Sequence, residues 1–266
     1  MYSVFFHAHQ KLDRVAYRHL DSLIEDDVFF PSLKRIIYFE GQRGPDSTNL
    51  KNNINVEQPW HFINPFDTND TEIFKLIEGH YERLVAALKN KESMNAAYEA
   101  SWLAHALVDG LTPAHHYPYE HEMEALRGGE TRHSRKGLVG WMIVHGDTRR
   151  DTLKRSLQLV GPKGLLTTHT LFEGGSFSII APLRLNDAKP SRDDLITIRQ
   201  IGITEFFLRY AREIASHDLY RRYYQKGWTP QLARDVRREM APRMVQIVTL
   251  AWYSALCDAN LISEPV

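Results

Sequence analysis

The sequence predicts an all-α fold, and three observations lead to that prediction. Apolar residues recur with helical spacing along most of the chain, no segment shows the alternation of a strand, and no repeat or low-complexity linker interrupts the pattern. The length of 266 residues, 43% of them hydrophobic, suits a globular protein with a sizeable core. We therefore expect one mostly helical domain over residues 1–266 with long functional loops.

The N-terminal part of the sequence has helical patterns on either side of a segment with loop-like composition. Residues 8–25 carry a stripe of apolar side chains with helical spacing. Residues 26–70 are rich in Pro, Asn, Gly and aromatic residues, and GQRGPDSTNLKNNIN at 41–55 predicts an ordered loop. An amphipathic helix is expected at 71–91, with Thr71 as its N-cap. Ser93 is placed to cap the alanine-rich helix that follows.

The C-terminal part begins with a charged stretch, 116–163, that glycines interrupt. GLLTTHTLFEGG at 164–175 predicts a short helix closed by its glycines. Residues 196–224 predict one long helix. Thr229 and the proline after it open a last helical region, with a kink or break expected at Pro242.

Composition excludes several classes of protein. Lys plus Arg and Asp plus Glu both number 33, so no global field draws the chain to nucleic acid or an anionic membrane. The single cysteine, Cys257, excludes an internal disulfide framework. No apolar run approaches the roughly 18 residues of a membrane span, and the N-terminus lacks the features of a secretory signal. We expect no transmembrane segment, and a cytoplasmic protein as written, or a secreted one if a signal precedes this numbering.

Two short motifs pair an imidazole with a carboxylate one helical turn apart. His105 and Asp109 in HALVDGLTPAHH stand at i and i+4, and His169 and Glu173 in HTLFE repeat the spacing. Each motif alone is more typical of a surface pair or a helix cap. Together they could serve adjoining Zn²⁺ ions, which accept nitrogen and oxygen ligands at about 2.0–2.2 Å. His115 follows a proline just past the helix end, within reach of a second ion.

Three further candidates lie upstream, and each also has an ordinary explanation. His9 lies in the first helix and could simply be solvated. Asp46 lies in a Gly-Pro-Asp turn, where aspartate is common for local reasons. His61 in PWHF could be a hydrogen-bonded core histidine. The metal-site prediction therefore depends on the order and spacing of all these residues together.

That order resembles the zinc-dependent phospholipase C and S1/P1 nuclease superfamily, an all-helical fold built around a trinuclear zinc cluster. The family pattern is a His on the first helix, a loop Asp about 15 residues before a His-aromatic pair, then His, Asp four residues later, Pro and His, and finally His-x-x-x-Glu or Asp. The chain matches this order over residues 9–173, and the later helices match only in kind. The matching positions are His9, Asp46, His61, Phe62, His105, Asp109, Pro113, His115, His169 and Glu173.

The resemblance implies roles for these residues around two or three Zn²⁺ ions. His61, His105 and Asp109 would hold one ion, and Asp109 would bridge to a third ion that His9 also holds. A second ion would be held by His115, His169 and Glu173. Asp46 would lie between the metals and the attacking water, as a metal ligand or as the catalytic general base.

The chain departs from the family pattern in two places. Family members complete the coordination of the third ion with the amino group of an N-terminal Trp. This sequence begins with Met1 and Tyr2, so the third ion would lack that ligand unless His7 replaces it. The segment between His115 and His169 is longer than in compact members, an insertion of roughly 116–168. The insertion holds other possible ligands: His116, Glu120, His121 and Glu130.

The expected activity is hydrolysis of a phosphoester bond by a metal-bound hydroxide, because paired metals lower the pKa of water and stabilise an in-line displacement. The resemblance implies either branch of the superfamily, and the absence of the disulfides usual in its secreted nucleases favours a phospholipase C-like phosphodiesterase acting on a phospholipid head group. The alternative in the family is an S1/P1-type nuclease for nucleotides or single-stranded nucleic acid, for which YRRYYQKGW at 220–228 has a suitable composition. That stretch is more typical of a helix with core aromatics and a solvated basic face. No obligate protein partner is evident.

Two other classes stay open. His217 and Asp218 form the adjacent pair used by HD-domain phosphohydrolases, with Asp258 as a possible distant ligand. That hypothesis leaves the ordered set from His9 to Glu173 unexplained. A helical domain that holds structural zinc without catalysis is the other class, and it would use four protein ligands per ion with no open position.

Overall fold

The computed structural model describes residues 3–43, 61–130 and 142–265, and within these ranges all regular structure is helical. The all-α prediction is confirmed. The α-helices are α1 (Ser3–Asp21), α2 (Leu33–Arg43), α3 (Glu72–Lys89), α4 (Ser93–Gly110), α5 (Tyr119–Leu126), α6 (Arg149–Val160), α7 (Leu165–Ile180), α8 (Arg192–Ile201), α9 (Ile203–Ser216), α10 (Leu219–Lys226), α11 (Pro230–Asp235) and α12 (Ala241–Asp258). Short 3₁₀ turns occur at Pro113–His116 and Asn186–Ala188, and a π-helical turn at Val236–Met240.

Helix α12 is the centre of the main core. Its residues are apolar on nearly all sides, as expected of a helix surrounded by others, and it packs against α1, α3, α4 and α8. Trp252 is fully buried, and its indole Nε1 donates a hydrogen bond to the carbonyl oxygen of Ala100, 3.1 Å away. Because α4 presents small residues such as Ala96, Ala100 and Ala104 to its neighbours, the helices around it approach closely.

Helix α1 brings polar residues into this core. Leu12, Val15 and Ala16 are buried against α2 and α12, as the apolar stripe predicts. His9 and Asp13, one turn apart, are also buried, so the inner side of α1 combines apolar packing with an imidazole and a carboxyl group.

Helix α2 was not predicted from the sequence, and its last three residues overlap the loop expected at 41–55. Ile36 and Phe39 are buried in the main core with Glu40 beside them, which is a helical spacing that surrounding prolines, glycines and asparagines obscured. Residues 44–60, which include Asp46, lie outside the described residues.

The single long helix expected at 196–224 was also wrong, because the chain divides it into α8, α9 and α10. Gly202 has a φ of +84°, and Asp218 has a φ of +53°, which are left-handed conformations that end a right-handed helix. Helix α8 in turn begins with a capping box between Ser191 and Asp194.

The four expected helix boundaries have different outcomes. The break near Pro242 is confirmed, since a π-helical turn precedes α12 and this proline lies in the first turn of α12. The glycines of HTLFEGG do not close their helix, because α7 continues to Ile180. Ser93 is the first residue of α4 rather than its N-cap, which is Glu92, and Thr71 occupies the N-cap position of α3 without a capping side-chain bond.

A second, smaller apolar cluster stands beside the main core. It consists of Phe62, Tyr119, Met123, Val144 and Leu159, most of which come from the segment expected as an insertion. No helix among the described residues is both long and apolar enough to cross a bilayer.

Candidate metal centre

Helices α1 and α4 bring together His9, His105 and Asp109, which we call the first ligand group. The Asp109 carboxylate lies between the two imidazoles, with Oδ1 3.2 Å from His9 Nε2 and Oδ2 3.1 Å from His105 Nε2. The rings of His9 and His105 stack with their centroids 4.2 Å apart. All three residues are buried, and their ligand atoms lie within 4.8 Å of one another, which is compact enough to hold one ion.

The 3₁₀ turn and helix α7 bring together His115, His169 and Glu173, which we call the second ligand group. A single carboxylate oxygen, Glu173 Oε1, lies 2.8 Å from His115 Nε2 and 3.2 Å from His169 Nε2. The i, i+4 spacing on α7 places His169 and Glu173 on one face, as it does for His105 and Asp109 on α4. The described part of the chain therefore contains two groups of imidazoles and a carboxylate that could hold metal ions.

The electrostatics of both groups favour a bound cation. Burial alone would raise the pKa of Asp109, but the neighbouring imidazoles of His105 and His9 hold that pKa well below its usual range. Burial also opposes ionisation of Glu173, and His169 and His115 nevertheless keep the pKa of Glu173 below its usual range. Both carboxylates are thus anionic ligands at neutral pH.

The pKa of His115 is raised, although burial alone would lower it, because Glu173 accepts its hydrogen bond and adds negative charge. The proton of this hydrogen bond lies between His115 Nε2 and Glu173 Oε1. Binding of an ion would release that proton, as it does whenever histidine becomes a ligand.

The imidazoles fit a metal in their orientation as well. In all four, Nε2 points to the carboxylate of its group, which leaves Nδ1 on the other side. His105 Nδ1 lies 2.9 Å from Glu40 Oε1, and His115 Nδ1 lies 2.8 Å from the main-chain oxygen of Asp109. With an ion bound, partners of this kind would keep the proton on Nδ1 and leave the lone pair of Nε2 for the metal, as in metal-ligating histidines. The Nδ1 atoms of His9 and His169 are buried and have no hydrogen-bond partner among the described residues.

His61 lies beside the second ligand group and belongs to neither group. Its ring centroid is 4.6 Å from that of His115 and 4.5 Å from that of Phe62. The resemblance implied that His61 joins His105 and Asp109, whereas its observed ring neighbour is a ligand of the other group. Asp46 is outside the described residues, and so is the side chain of His7.

The described side chains among the other possible ligands of the insertion are not in either group. His116 Nε2 lies 2.9 Å from the carbonyl oxygen of Gly110, and burial lowers the pKa of this imidazole to about 4, so it is a neutral, structural histidine. Glu130 lies 3.9 Å from Arg127, and His121 is exposed. The side chain of Glu120 is outside the described residues.

The residues of the HD-type hypothesis are engaged elsewhere. His217 Nε2 lies 3.8 Å from Glu239, and Asp218 pairs with Arg221. Asp258 accepts hydrogen bonds from Arg199 and from Tyr81, each at 2.6 Å. None of the three belongs to a group of metal ligands among the described residues.

The aromatic residues of YRRYYQKGW mostly pack against Phe172 in α7. The ring centroid of Phe172 is 5.2 Å from Tyr220, 5.4 Å from Tyr223 and 5.6 Å from Trp228, with the last pair nearly parallel. Within the same stretch Arg222 forms an ion pair with Asp235 at 2.7 Å. Most of these rings thus stabilise the helix that carries His169 and Glu173, and they are not free to stack on bases.

Two buried acids near the first ligand group were not predicted from the sequence. Glu40 contacts His105 from α2, a helix that the sequence pattern did not indicate. Asp13 is 1% exposed and stands one turn after His9 on α1. The i, i+4 spacing of His9 and Asp13 is the same signal that identified the other two motifs.

Comparisons with protein-family models, curated proteins and solved structures found no match to the chain.

Proposed function

We propose that the chain is a zinc-dependent hydrolase of phosphoester bonds, most simply a phosphodiesterase of the phospholipase C type. The observation that carries the proposal is the pair of buried ligand groups, which supply four imidazoles and two carboxylates. Nitrogen and oxygen ligands without thiolate suit Zn²⁺, and three protein ligands per group leave a coordination position open, as in catalytic rather than structural sites.

When bound, zinc ions would supply Lewis acidity, which lowers the pKa of water towards 7 and offsets the charge of a phosphate. The ligand sets support attraction of an anion: neutral imidazoles and one carboxylate per divalent ion leave each group with net positive charge. A phosphodiester monoanion would therefore be drawn to this site even though the formal charge of the whole chain is +0.

The protein's own residues would position the ligands and surround the site. Asp109 and Glu173 each join two imidazoles of a group, and the aromatic rings of Phe62 and Tyr119 cover one side of the second group, with the Tyr119 ring 4.8 Å from that of His169. By the resemblance, Asp46 would orient water or accept its proton. Most aromatic residues of 220–228 are packed against Phe172, which favours an activity of the phospholipase C type over a single-strand nuclease.

The test combines metal content with hydrolysis. Plasma mass spectrometry on protein purified without added metal should find about two zinc ions per chain if each ligand group holds one ion. The zinc-loaded protein should hydrolyse a chromogenic phosphodiester, p-nitrophenyl phosphorylcholine, and the chelated protein should not. Single-stranded DNA and phosphatidylcholine vesicles then separate the nuclease from the phospholipase.

Asp46→Asn distinguishes a catalytic site from a structural one. We expect this variant to lose hydrolysis and to keep an ion in the second ligand group. Glu82→Gln, at an exposed position on α3, is the matched control and should leave both zinc content and hydrolysis unchanged. A wild-type chain that binds zinc but hydrolyses none of these substrates would contradict the proposed activity and favour the structural-zinc class.

A further inference from the structure

Glu40 is a buried carboxylate that contacts a ligand of the first group from outside the group. It is 2% exposed, and its Oε1 lies 2.9 Å from Nδ1 of His105. Its other oxygen, Oε2, accepts a hydrogen bond of 3.2 Å from the hydroxyl of Ser101, one turn before His105 on α4. Both carboxylate oxygens are thus occupied by α4, so the orientation of Glu40 is fixed.

The contact determines which nitrogen of His105 is available to an ion. A carboxylate at Nδ1 holds the proton on that nitrogen, which leaves the lone pair on Nε2, the atom that points to Asp109. The negative charge of Glu40 also makes the imidazole a stronger donor. Glu40 itself cannot belong to the ligand group, since the imidazole ring separates its carboxylate from Nε2.

A second buried acid, Asp13, lies one turn after His9 on α1. Glu40 is the acid whose carboxylate oxygen lies 2.9 Å from the imidazole of His105. The first ligand group is therefore backed by a buried carboxylate.

No corresponding carboxylate backs the second ligand group among the described residues. His115 has only the main-chain oxygen of Asp109 at Nδ1, and the Nδ1 of His169 is buried without a partner. A neutral carbonyl strengthens an imidazole ligand less than a carboxylate does. The two groups thus have similar ligands but differ in the hydrogen-bond partner at Nδ1, which is a carboxylate for His105 and a main-chain carbonyl for His115.

We propose that Glu40 is a positioning residue for the metal ligand His105 and makes the first ligand group the tighter of the two ion sites. This inference rests on the proposed metal centre, but not on the reaction proposed for it. Removal of such an outer partner weakens a metal site by about 10–100-fold.

The experiment measures zinc affinity of each group separately, by competition with a chromogenic chelator on the full chain. Glu173→Ala leaves the first group as the binding site, and His9→Ala leaves the second. Glu40→Ala and the isosteric Glu40→Gln are then introduced into each background. We expect Glu40→Ala to weaken the first group about 10–100-fold and to leave the second unchanged. Glu40→Gln should give a smaller loss, because the amide oxygen still accepts from Nδ1 but carries no charge.

Glu99→Ala provides the matched control. Glu99 is likewise a buried glutamate on an imidazole, with Oε2 2.6 Å from Nδ1 of His80, which is in neither ligand group. This variant should leave both affinities unchanged. A spectroscopic readout independent of activity comes from imidazole ¹⁵N chemical shifts, which should show His105 of the zinc-loaded wild type protonated at Nδ1 and coordinated through Nε2.

The inference is overturned if Glu40→Gln and any folded Glu40→Ala bind zinc in the first group as tightly as the parent, or if both groups weaken equally. It is also overturned if the second group of the wild type is the tighter one. Zinc binding that follows the expected pattern without phosphodiester hydrolysis would contradict the proposed function and leave the role of Glu40 intact. Phosphodiester hydrolysis with no effect of Glu40 on zinc affinity would support the proposed function and overturn the role of Glu40.

Discussion

The imidazole of His115 donates a hydrogen bond from Nδ1 to the main-chain carbonyl oxygen of Asp109, across 2.8 Å. Asp109 thus takes part in both ligand groups, in the first through its carboxylate and in the second through its backbone. The same carbonyl oxygen also accepts a hydrogen bond from the backbone nitrogen of Thr112 at 2.9 Å, which fixes the turn that follows α4. The end of one helix therefore helps to set the positions of residues in both ligand groups.

This relationship predicts that Asp109→Ala removes one ion and spares the other. The variant deletes the carboxylate of the first group but retains the carbonyl that holds His115, so the second group keeps its geometry. We expect zinc content, measured by plasma mass spectrometry, to fall by about one ion per chain. A fall to no bound zinc would instead indicate that the carboxylate of Asp109 is needed by both ions, as a bridging ligand would be.

Glu173→Ala is expected to remove the other ion. Its Oε1 is the carboxylate atom shared by His115 and His169, so its loss leaves two imidazoles without an anionic co-ligand. Zinc content should again fall by about one ion per chain, and the double variant with Asp109→Ala should bind none. If the double variant retains zinc at the level of either single variant, the ions are bound outside these two groups.

The ligand pairs within a helix could be predicted from the sequence because their geometry is local. His169 and Glu173 share a helix face at i, i+4 wherever α7 packs, and their ligand atoms lie 3.2 Å apart in the structure. The approach of His9 to Asp109, and of Glu40 to His105, joins residues that are 100 and 65 positions apart. Those contacts depend on how α1 and α2 pack on α4, which periodicity does not determine.

The packing at the end of α4 is also more than the sequence pattern could predict. Gly110 is the last residue of α4, and its lack of a side chain matters for packing. A Cβ at this position would lie 2.6 Å from Ile73 Cδ1 and 2.6 Å from Phe207 Cζ. The sequence shows a glycine, and only the packing of α3 and α9 against α4 shows why it is needed.

That packing predicts that Gly110→Ala is destabilising. The added methyl group must displace two buried side chains next to Asp109, which we expect to lower the free energy of unfolding by about 1–3 kcal/mol. Urea denaturation followed by circular dichroism measures the change. Gly79→Ala is the control within a helix, because its Cβ would meet only the flexible end of Arg83, with Nη1 3.1 Å away. That variant should gain about 0.5–1 kcal/mol from its higher helix propensity. Equal effects of the two substitutions would show that packing around Gly110 is not limiting.

A network of ion pairs around Arg199 predicts that the free energy of unfolding falls at acidic pH. Arg199 Nη2 lies 2.6 Å from Asp258 Oδ1 and 2.6 Å from Glu264 Oε1, and Tyr81 donates to the same aspartate. Burial alone would raise the pKa of Asp258, but the hydrogen bonds from Arg199 and Tyr81 hold it below its usual value.

Because the pKa of Asp258 is lower in the folded than in the unfolded chain, its contribution to stability is fully present above the unfolded value of about 3.9 and is lost as the pH falls through the folded value. We expect the midpoint of urea denaturation to drop below pH 4 more steeply in the wild type than in Asp258→Asn. The comparison belongs in metal-free protein, so that protonation of the zinc ligands does not contribute through release of ions. Parallel pH profiles for the two proteins would mean that the network around Arg199 adds no acid-sensitive stability.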